Sequence, residues 1–346
     1  MIPKTMKAAV VREFGKLLTI EEIPVKEPKG NEVLVKVVAC GVCHSDVHAA
    51  HGEWPVKPHM PLVMGHEGIG YVAKLGPSVT SLKVGDIVGV PWLNRACGHC
   101  DYCSSGAEPL CGDQDNSGYS VDGSYAEYVI ADANYVGRFP DSGFDFYEMA
   151  PILCAGVTVY KGIKSSNLKP SNWVAISGIG GLGHLGVQYA KAMGYKVAAI
   201  DISDEKLAFA KELGADLLVN ASKNDPGEFL QKEVGGVHAI VITAVSHSAF
   251  ENVHKAIRRG GTITLLGIPD GDIKVPIFDS VLCEYTVRGS LIGNREDLQE
   301  SIDLAIQGKV KTFVTKSKLE DINDVLDRLE HGKIKGRVVL DISTPV

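Results

Sequence analysis

Cys97, Cys100, Cys103 and Cys111 stand in the pattern C-x2-C-x2-C-x7-C. Four thiolates this close in sequence satisfy one tetrahedral zinc ion. Protein would fill all four positions, which leaves no site for water, so the predicted role is structural. The surrounding stretch, 94–112, is rich in Gly, Ser and Asp and poor in apolar side chains. A bound metal would order such a loop. The spacing matches neither ferredoxin pattern, which argues against an iron–sulfur cluster. A second set is scattered: Cys43 in CGVCHSDVH, His66 in MGHEG and Cys154 in PILCAG. No spacing rule brings these three together, and a lone Cys in an apolar run is ordinarily an inert core residue. The signal lies in their neighbours. Cys43 is followed by His44, Ser45, Asp46 and His48, a dense run of proton-transfer groups, and His66 and Glu67 lie between Gly65 and Gly68. On spacing alone, a catalytic metal site and three unconnected structural residues are both open readings.

A third pattern is Gly178, Gly180 and Gly183, a G-x-G-x-x-G within SGIGGLGHLG. Alone it is weak. Here it follows an apolar run, Trp173–Ser177, and opens a helical pattern, with Asp201 placed 18 residues after Gly183 at the end of the next run. That context is what a dinucleotide-binding turn requires. The first Gly permits the tight turn, the second lets backbone approach a pyrophosphate, and the third lets helix and strand pack closely. The helix N-terminus then offers N–H groups to the phosphates. Gly181 and Leu182 complete the expected turn. Asp201 would accept hydrogen bonds from the adenosine ribose hydroxyls, and its charge would repel a 2′-phosphate, so NAD is favoured over NADP. Lys206 lies within reach of the same ribose.

These groups need elements to hold them. Residues 1 to about 150 carry short β-like runs, such as Val33–Val38 and Ile87–Pro91, separated by turn clusters. From about 170 the pattern alternates. Strands fit Trp173–Ser177, Lys196–Ile200, Asp216–Asn220, Ala239–Ala244 and Thr262–Gly267. Helices fit 181–194, 204–213 and 248–258. Alternation of this kind predicts a parallel sheet with helices on both faces. Helices at 296–307 and 319–330 and a strand at Arg337–Asp341 close the chain.

The 346 residues correspond to about two domains. A formal charge of −7 argues against a general nucleic-acid or anionic-membrane binder. No export signal or membrane span is visible, so a cytoplasmic protein is expected, and in that compartment the eight cysteines read as metal ligands or thiols, not disulfides.

The segments CGVCHSDVHAAHGEWP, MGHEGIGYV, the four-Cys loop, PILCAGVTVYK, WVAISGIGGLG and VQYAKAMGYKV together resemble the medium-chain, zinc-dependent alcohol dehydrogenases, in particular the tetrameric microbial branch that includes the yeast enzyme. The resemblance covers essentially the whole chain. It implies an α/β protein: a β-rich, GroES-like catalytic domain (1–152 and 290–346) and a doubly wound parallel-sheet Rossmann domain (153–289) that binds NAD. It implies two zinc ions per subunit, a homotetramer, a small alcohol or aldehyde substrate, and no nucleic-acid or membrane partner.

By the same resemblance, Cys43, His66 and Cys154 bind a catalytic zinc whose fourth position takes water or the substrate oxygen. Glu67 assists ligand exchange, and Asp46 holds the zinc-bound His66. Ser45 and His48 form a proton relay. His44 and Arg337 contact the cofactor phosphates, and Leu266 and Ile268 line the cofactor site. Trp54 and Trp92, with Ile268, narrow the substrate pocket, which favours ethanol and other small primary alcohols. Ser45 stands where the yeast enzyme has Thr and Ile268 where it has Met, and the plain glycine turn lacks the residue that the yeast enzyme inserts. Two other functions are open: a polyol or secondary-alcohol dehydrogenase of the same fold, and a non-enzymatic NAD sensor. The paired Trp residues speak against the first and the relay residues against the second.

Overall fold

Strand Glu32–Val42 is the longest in the computed structural model, which describes residues 2–343. Its run of Val, Leu, Ala and Cys is buried on both faces, as expected of a central strand. It pairs antiparallel with Gly68–Leu75, with Arg337–Asp341 through its last residues, and with Tyr128–Asp132 through its first. The register determines where chemistry can occur. Cys40 pairs with Gly68 and Val42 with Val338. Cys43, Glu67 and Arg337 therefore emerge at the same end of one sheet. Ile87–Val90, Gly137–Arg138 and Val314–Lys318 complete that seven-stranded sheet, and Thr5–Val11 centres a separate three-stranded one.

These strands belong to a first unit, made of the chain up to Cys154, Ile292–Ile306 and the chain from Thr312. The second unit is Ala155–Leu291 with Gln307–Lys311. The short return of 307–311 is a difference from the continuous terminal segment expected at 290–346. Its cause is local: Gln188 donates to the Lys311 carbonyl (2.9 Å) and accepts the Lys311 N–H (2.9 Å).

The second unit holds six parallel strands in the order Leu217–Asn220, Lys196–Asp201, Trp173–Ser177, Val237–Ile242, Ile257–Leu265 and Thr286–Gly289. Numbered along the chain this is 3-2-1-4-5-6, the doubly wound order whose ligands sit at the carboxyl end of the first strand. Helix Gly183–Ala192 is buried over most of its surface, with Leu185, Val187, Tyr189 and Ala190 fully buried.

One predicted helix does not form. Over 248–258 the structure has two single turns of 3-10 helix, His247–Phe250 and Val253–Ala256, followed by strand from Ile257. Asn252 sits at φ 54°, a left-handed conformation that interrupts a right-handed helix. Ile257 instead pairs with Val237. Among the described residues no helix is long and apolar enough to cross a membrane.

Candidate metal centre and cofactor turn

Ligand atoms of Cys43, His66, Glu67 and Cys154 all lie within 4.8 Å of one another, and all four residues are buried. Each arrives by a different route. Cys43 caps helix His44–His51. His66 and Glu67 sit in the tight link before strand Gly68–Leu75, where Gly65 at φ 94° makes the turn. Cys154 ends the 3-10 turn Ala150–Leu153. The two sulfurs are 4.0 Å apart. A tetrahedral zinc with Zn–S bonds of about 2.3 Å sets thiolates about 3.8 Å apart. His66 Nε2 is buried with no hydrogen-bond partner, and a buried ring nitrogen left unpaired is costly unless it has a ligand. Two thiols and an imidazole are also a donor set suited to zinc. The residues present therefore fit the ion.

The partners behind these ligands are polar and buried. His66 Nδ1 faces Asp46 Oδ1 at 3.1 Å, and Asp46 Oδ2 accepts both the Cys43 N–H and the Tyr125 hydroxyl, each at 2.8 Å. With its proton on Nδ1, His66 presents the Nε2 lone pair to the cluster. Burial pulls the His66 pKa down, but Asp46 and Cys43 hold it well above its ordinary value. Cys154 donating to Cys43 holds the Cys43 thiol well below its ordinary value, with help from His66 and Arg337. Glu67 Oε1 pairs with the Arg337 guanidinium, and both side chains are at most 5 % exposed. Burial pushes Glu67 up to about 7, against the pull of Arg337. The other carboxylate oxygen, Oε2, lies over Gly41, where a Cβ would stand 1.8 Å from it.

Ser45 Oγ is 3.7 Å from Cys43 Sγ. His48 lies three residues further along the same helix and so shares its face. His48 Nδ1 pairs with Glu53, whose side chain is 47 % exposed. Burial, with the nearby His48, lowers the His44 pKa, so His44 is a weak cation at neutral pH. Trp92 stands edge-on to His66 with ring centres 4.9 Å apart, Trp54 lies 5.5 Å from His48, and Tyr119 packs on both Trp rings. The two tryptophans thus form an apolar wall beside the cluster. Tyr119, Glu53, Gly41 and Tyr125 were not singled out from the sequence. Each reaches its partner through folding, except Glu53, whose place beside His48 was readable from HAAHGE.

Cys97, Cys100, Cys103 and Cys111 also bring four sulfurs within 4.8 Å of one another, with Cys97 and Cys103 at 3.9 Å. Three of the four are half-exposed, and all eight cysteines of the chain are free thiols. The N–H groups of His99 and Cys100 lower Cys97 to about 6, while desolvation pushes Cys103 up to about 12. Glu108, inside the loop and 3 % exposed, is paired with Arg295 at 2.7 Å, and Asn294 donates to the Gly106 carbonyl at 2.8 Å. The loop is thus tied to helix Arg295–Ile306 as well as to itself.

In the second unit Gly178 has φ 94°, and a Cβ on Gly183 would stand 1.8 Å from the Gly178 carbonyl oxygen. A Cβ on Gly180 would meet nothing within 4 Å. The first and third glycines are therefore required by the fold itself, whereas the second leaves open space, as a phosphate cradle would. Gly181 and Leu182 are half-buried in the turn. Asp201, 8 % exposed, accepts the N–H groups of Ile179 (2.7 Å) and Ser203 (3.0 Å), one on each carboxylate oxygen. Each oxygen keeps a lone pair for a ribose hydroxyl. Lys206 is exposed on helix Asp204–Glu212. Leu266 is buried against Gly162, and Ile268 is 62 % exposed. Within the first unit, Arg337 stands against Glu67; a role at cofactor phosphates is not visible in this pairing.

Comparison with known proteins identifies the family. Residues 29–141 match the alcohol dehydrogenase GroES-like domain and residues 181–307 the zinc-binding dehydrogenase domain. An alcohol dehydrogenase of Moraxella sp. (strain TAE123) is 58 % identical over 97 % of this chain and 99 % of its own length. One from Geobacillus stearothermophilus is 58 % identical over 97 % of this chain and all of its own length. The crystal structure of the alcohol dehydrogenase from the archaeon Aeropyrum pernix superposes with a TM-score of 0.88 at 34 % identity, covering 97 % of this chain and 99 % of that one. The chain belongs to the medium-chain, zinc-dependent alcohol dehydrogenases.

Proposed function

We propose that this protein interconverts a small primary alcohol, ethanol or one close to it, and its aldehyde, with NAD as the redox partner and two zinc ions per subunit. The observation that carries this reading is the buried convergence of Cys43, His66 and Cys154 on the unpartnered His66 Nε2, beside the Trp54–Trp92 wall. When bound, zinc supplies Lewis-acid polarisation of an alcohol oxygen, and a nicotinamide supplies the hydride acceptor. The chain's own residues do the rest. Cys43, His66 and Cys154 hold the metal, with Asp46 orienting His66. Glu67, beside these residues and paired with Arg337, would assist ligand exchange. Ser45 takes the proton that the alcohol releases, and His48 carries it outward beside Glu53. The tryptophans exclude water and leave room for a short chain. Ile268 is assigned to the pocket by family resemblance.

Gly178, Gly180, Gly181, Leu182 and Gly183 form the cradle for the cofactor pyrophosphate. Asp201 recognises the ribose, aided by Lys206 and with Leu266 packing behind. His44 and Arg337 are the candidate side chains for the phosphates. Asp201→Gly should raise the NADP-to-NAD ratio of kcat/KM at least tenfold; an unchanged ratio contradicts the ribose assignment. The eight free cysteines support a reducing, cytoplasmic compartment. A homotetramer is expected by family resemblance, and helix Ile277–Cys283, whose Ile277, Phe278 and Val281 are 82 %, 74 % and 67 % exposed, supports self-association.

Initial rates with ethanol, longer primary alcohols, a secondary alcohol and a polyol test the substrate. The proposal expects ethanol-sized alcohols to be preferred. A preference for the secondary alcohol or polyol would replace it with that alternative, and NADH binding without turnover would replace it with a sensor.

A further inference from the structure

We infer that Tyr125 is a positioning residue for the buried metal centre: its hydroxyl fixes the Asp46 carboxylate, which in turn fixes His66. This rests on the zinc reading of the Cys43–His66–Cys154 cluster. Tyr125 is fully buried and lies 79 positions from Asp46 in sequence, yet its hydroxyl donates to Asp46 Oδ2 at 2.8 Å. The same oxygen accepts the Cys43 N–H at 2.8 Å, and the other holds His66 Nδ1 at 3.1 Å. One carboxylate therefore receives donors from a ligand's backbone, from a ligand's ring and from Tyr125. Of these three donors only the hydroxyl comes from a residue outside the ligand segments, so it ties the carboxylate to a further stretch of the chain.

Tyr125 is itself held rigidly. Its N–H donates to the Met64 carbonyl at 2.8 Å, and its carbonyl accepts the Ala9 N–H at 2.8 Å. Its ring lies on Gly65, the residue before His66, so closely that a Cβ on Gly65 would stand 2.5 Å from a ring carbon. The ring and the hydroxyl thus constrain the His66 segment in two ways: the ring shapes the turn, and the hydroxyl sets the tautomer and tilt of the imidazole through Asp46. Groups that orient a metal-bound histidine commonly change metal affinity about 10- to 100-fold when removed.

Tyr125→Phe keeps the ring and removes the hydroxyl. The test uses zinc-loaded full-length protein challenged with a chromophoric chelator, so that zinc leaving each site is timed. Cys43→Ser, which lacks a ligand of the buried site, identifies the phase that belongs to that site; the four-Cys phase serves as the internal control of folding. Tyr125→Phe should release zinc from the buried site about tenfold faster and leave the four-Cys phase unchanged. Cobalt substituted at the buried site should show a shifted visible band. Asp46→Asn should act in the same direction, and Tyr125→Phe added to it should change release by less than twofold, because both act through one carboxylate. A wild-type protein with no buried-site phase overturns the zinc reading and this inference together. A wild-type protein with that phase, and a Tyr125→Phe protein with the same release rate and cobalt spectrum, overturns this inference alone. So do effects of the two variants that simply multiply.

Discussion

The four-Cys loop draws all its sulfurs from 97–111, holds three of them half-exposed, and adds one ion pair between the buried Glu108 and the half-exposed Arg295. The other cluster takes two sulfurs from positions 111 residues apart, adds His66 and Glu67 from a third segment, and buries all of them. The first would close a metal with four sulfurs and carries almost nothing behind them. The second backs Cys43, His66 and Glu67 with Asp46, Tyr125 and Arg337 and keeps Glu67 within reach of the same cluster. The difference fits the two roles proposed for them. A loop that needs only to be ordered can spend all four positions on ligands. A centre that must accept a substrate keeps a position open, and its remaining ligands then have to be held by the fold.

The comparison breaks most sharply at a ligand. Cys43→Ser should lower alcohol turnover about a thousandfold, in line with losing several kcal/mol of transition-state stabilisation. It should leave the four-Cys zinc bound and the circular dichroism unchanged; a protein that fails to fold would make Cys43 structural instead. Cys103→Ser should do the reverse. It should destabilise by about 2–3 kcal/mol and lower the thermal midpoint by several degrees, with kcat per folded molecule kept within about twofold. A large fall in kcat with stability intact would erase the distinction between the sites.

Packing offers a finer contrast. Gly41→Ala forces a methyl into the space of Glu67 Oε2, whereas Gly112→Ala in the loop meets nothing within 4 Å. Turnover should fall about tenfold or more in the first and stability should change by less than about 0.5 kcal/mol in the second. Equal tolerance at both positions would mean that Glu67 is not held where the structure places it.

A further contrast is in pH. Burial raises Glu67 to about 7, against about 4.3 in an unfolded chain. Between those values the folded, zinc-free protein keeps a proton that the unfolded chain has released. The stability from this proton is full below about 4.3 and is lost as pH rises through 7. Unfolding free energies of zinc-stripped protein from urea titrations should therefore fall more from pH 5 to 8 in wild type than in Glu67→Gln, by about 2–3 kcal/mol. Parallel slopes would show that Glu67 does not titrate there.

The four-Cys loop and the glycine turn were legible in the sequence because each is local. Spacing alone brings Cys97–Cys111 within reach of one ion, and Trp173–Ser177 forms the strand predicted for it. Cys43, His66 and Cys154 were legible only through resemblance, since their meeting depends on strand register. The Tyr125–Asp46 and Glu67–Arg337 pairings, 79 and 270 positions apart, left no spacing signal. The helix expected over 248–258 was lost to tertiary context: the apolar period is present, but a left-handed Asn252 and pairing of Ile257 in the parallel sheet override it. Ile268 illustrates the opposite limit, an assignment from resemblance to which the structure adds only exposure.

The most direct test follows zinc per chain and NAD-dependent ethanol oxidation through one graded chelator titration. The account predicts two zinc ions per chain at the start, with activity falling in step with one of them while the other stays bound and the fold persists. Activity that survives loss of the buried-site zinc, or that tracks the four-Cys zinc instead, would contradict it.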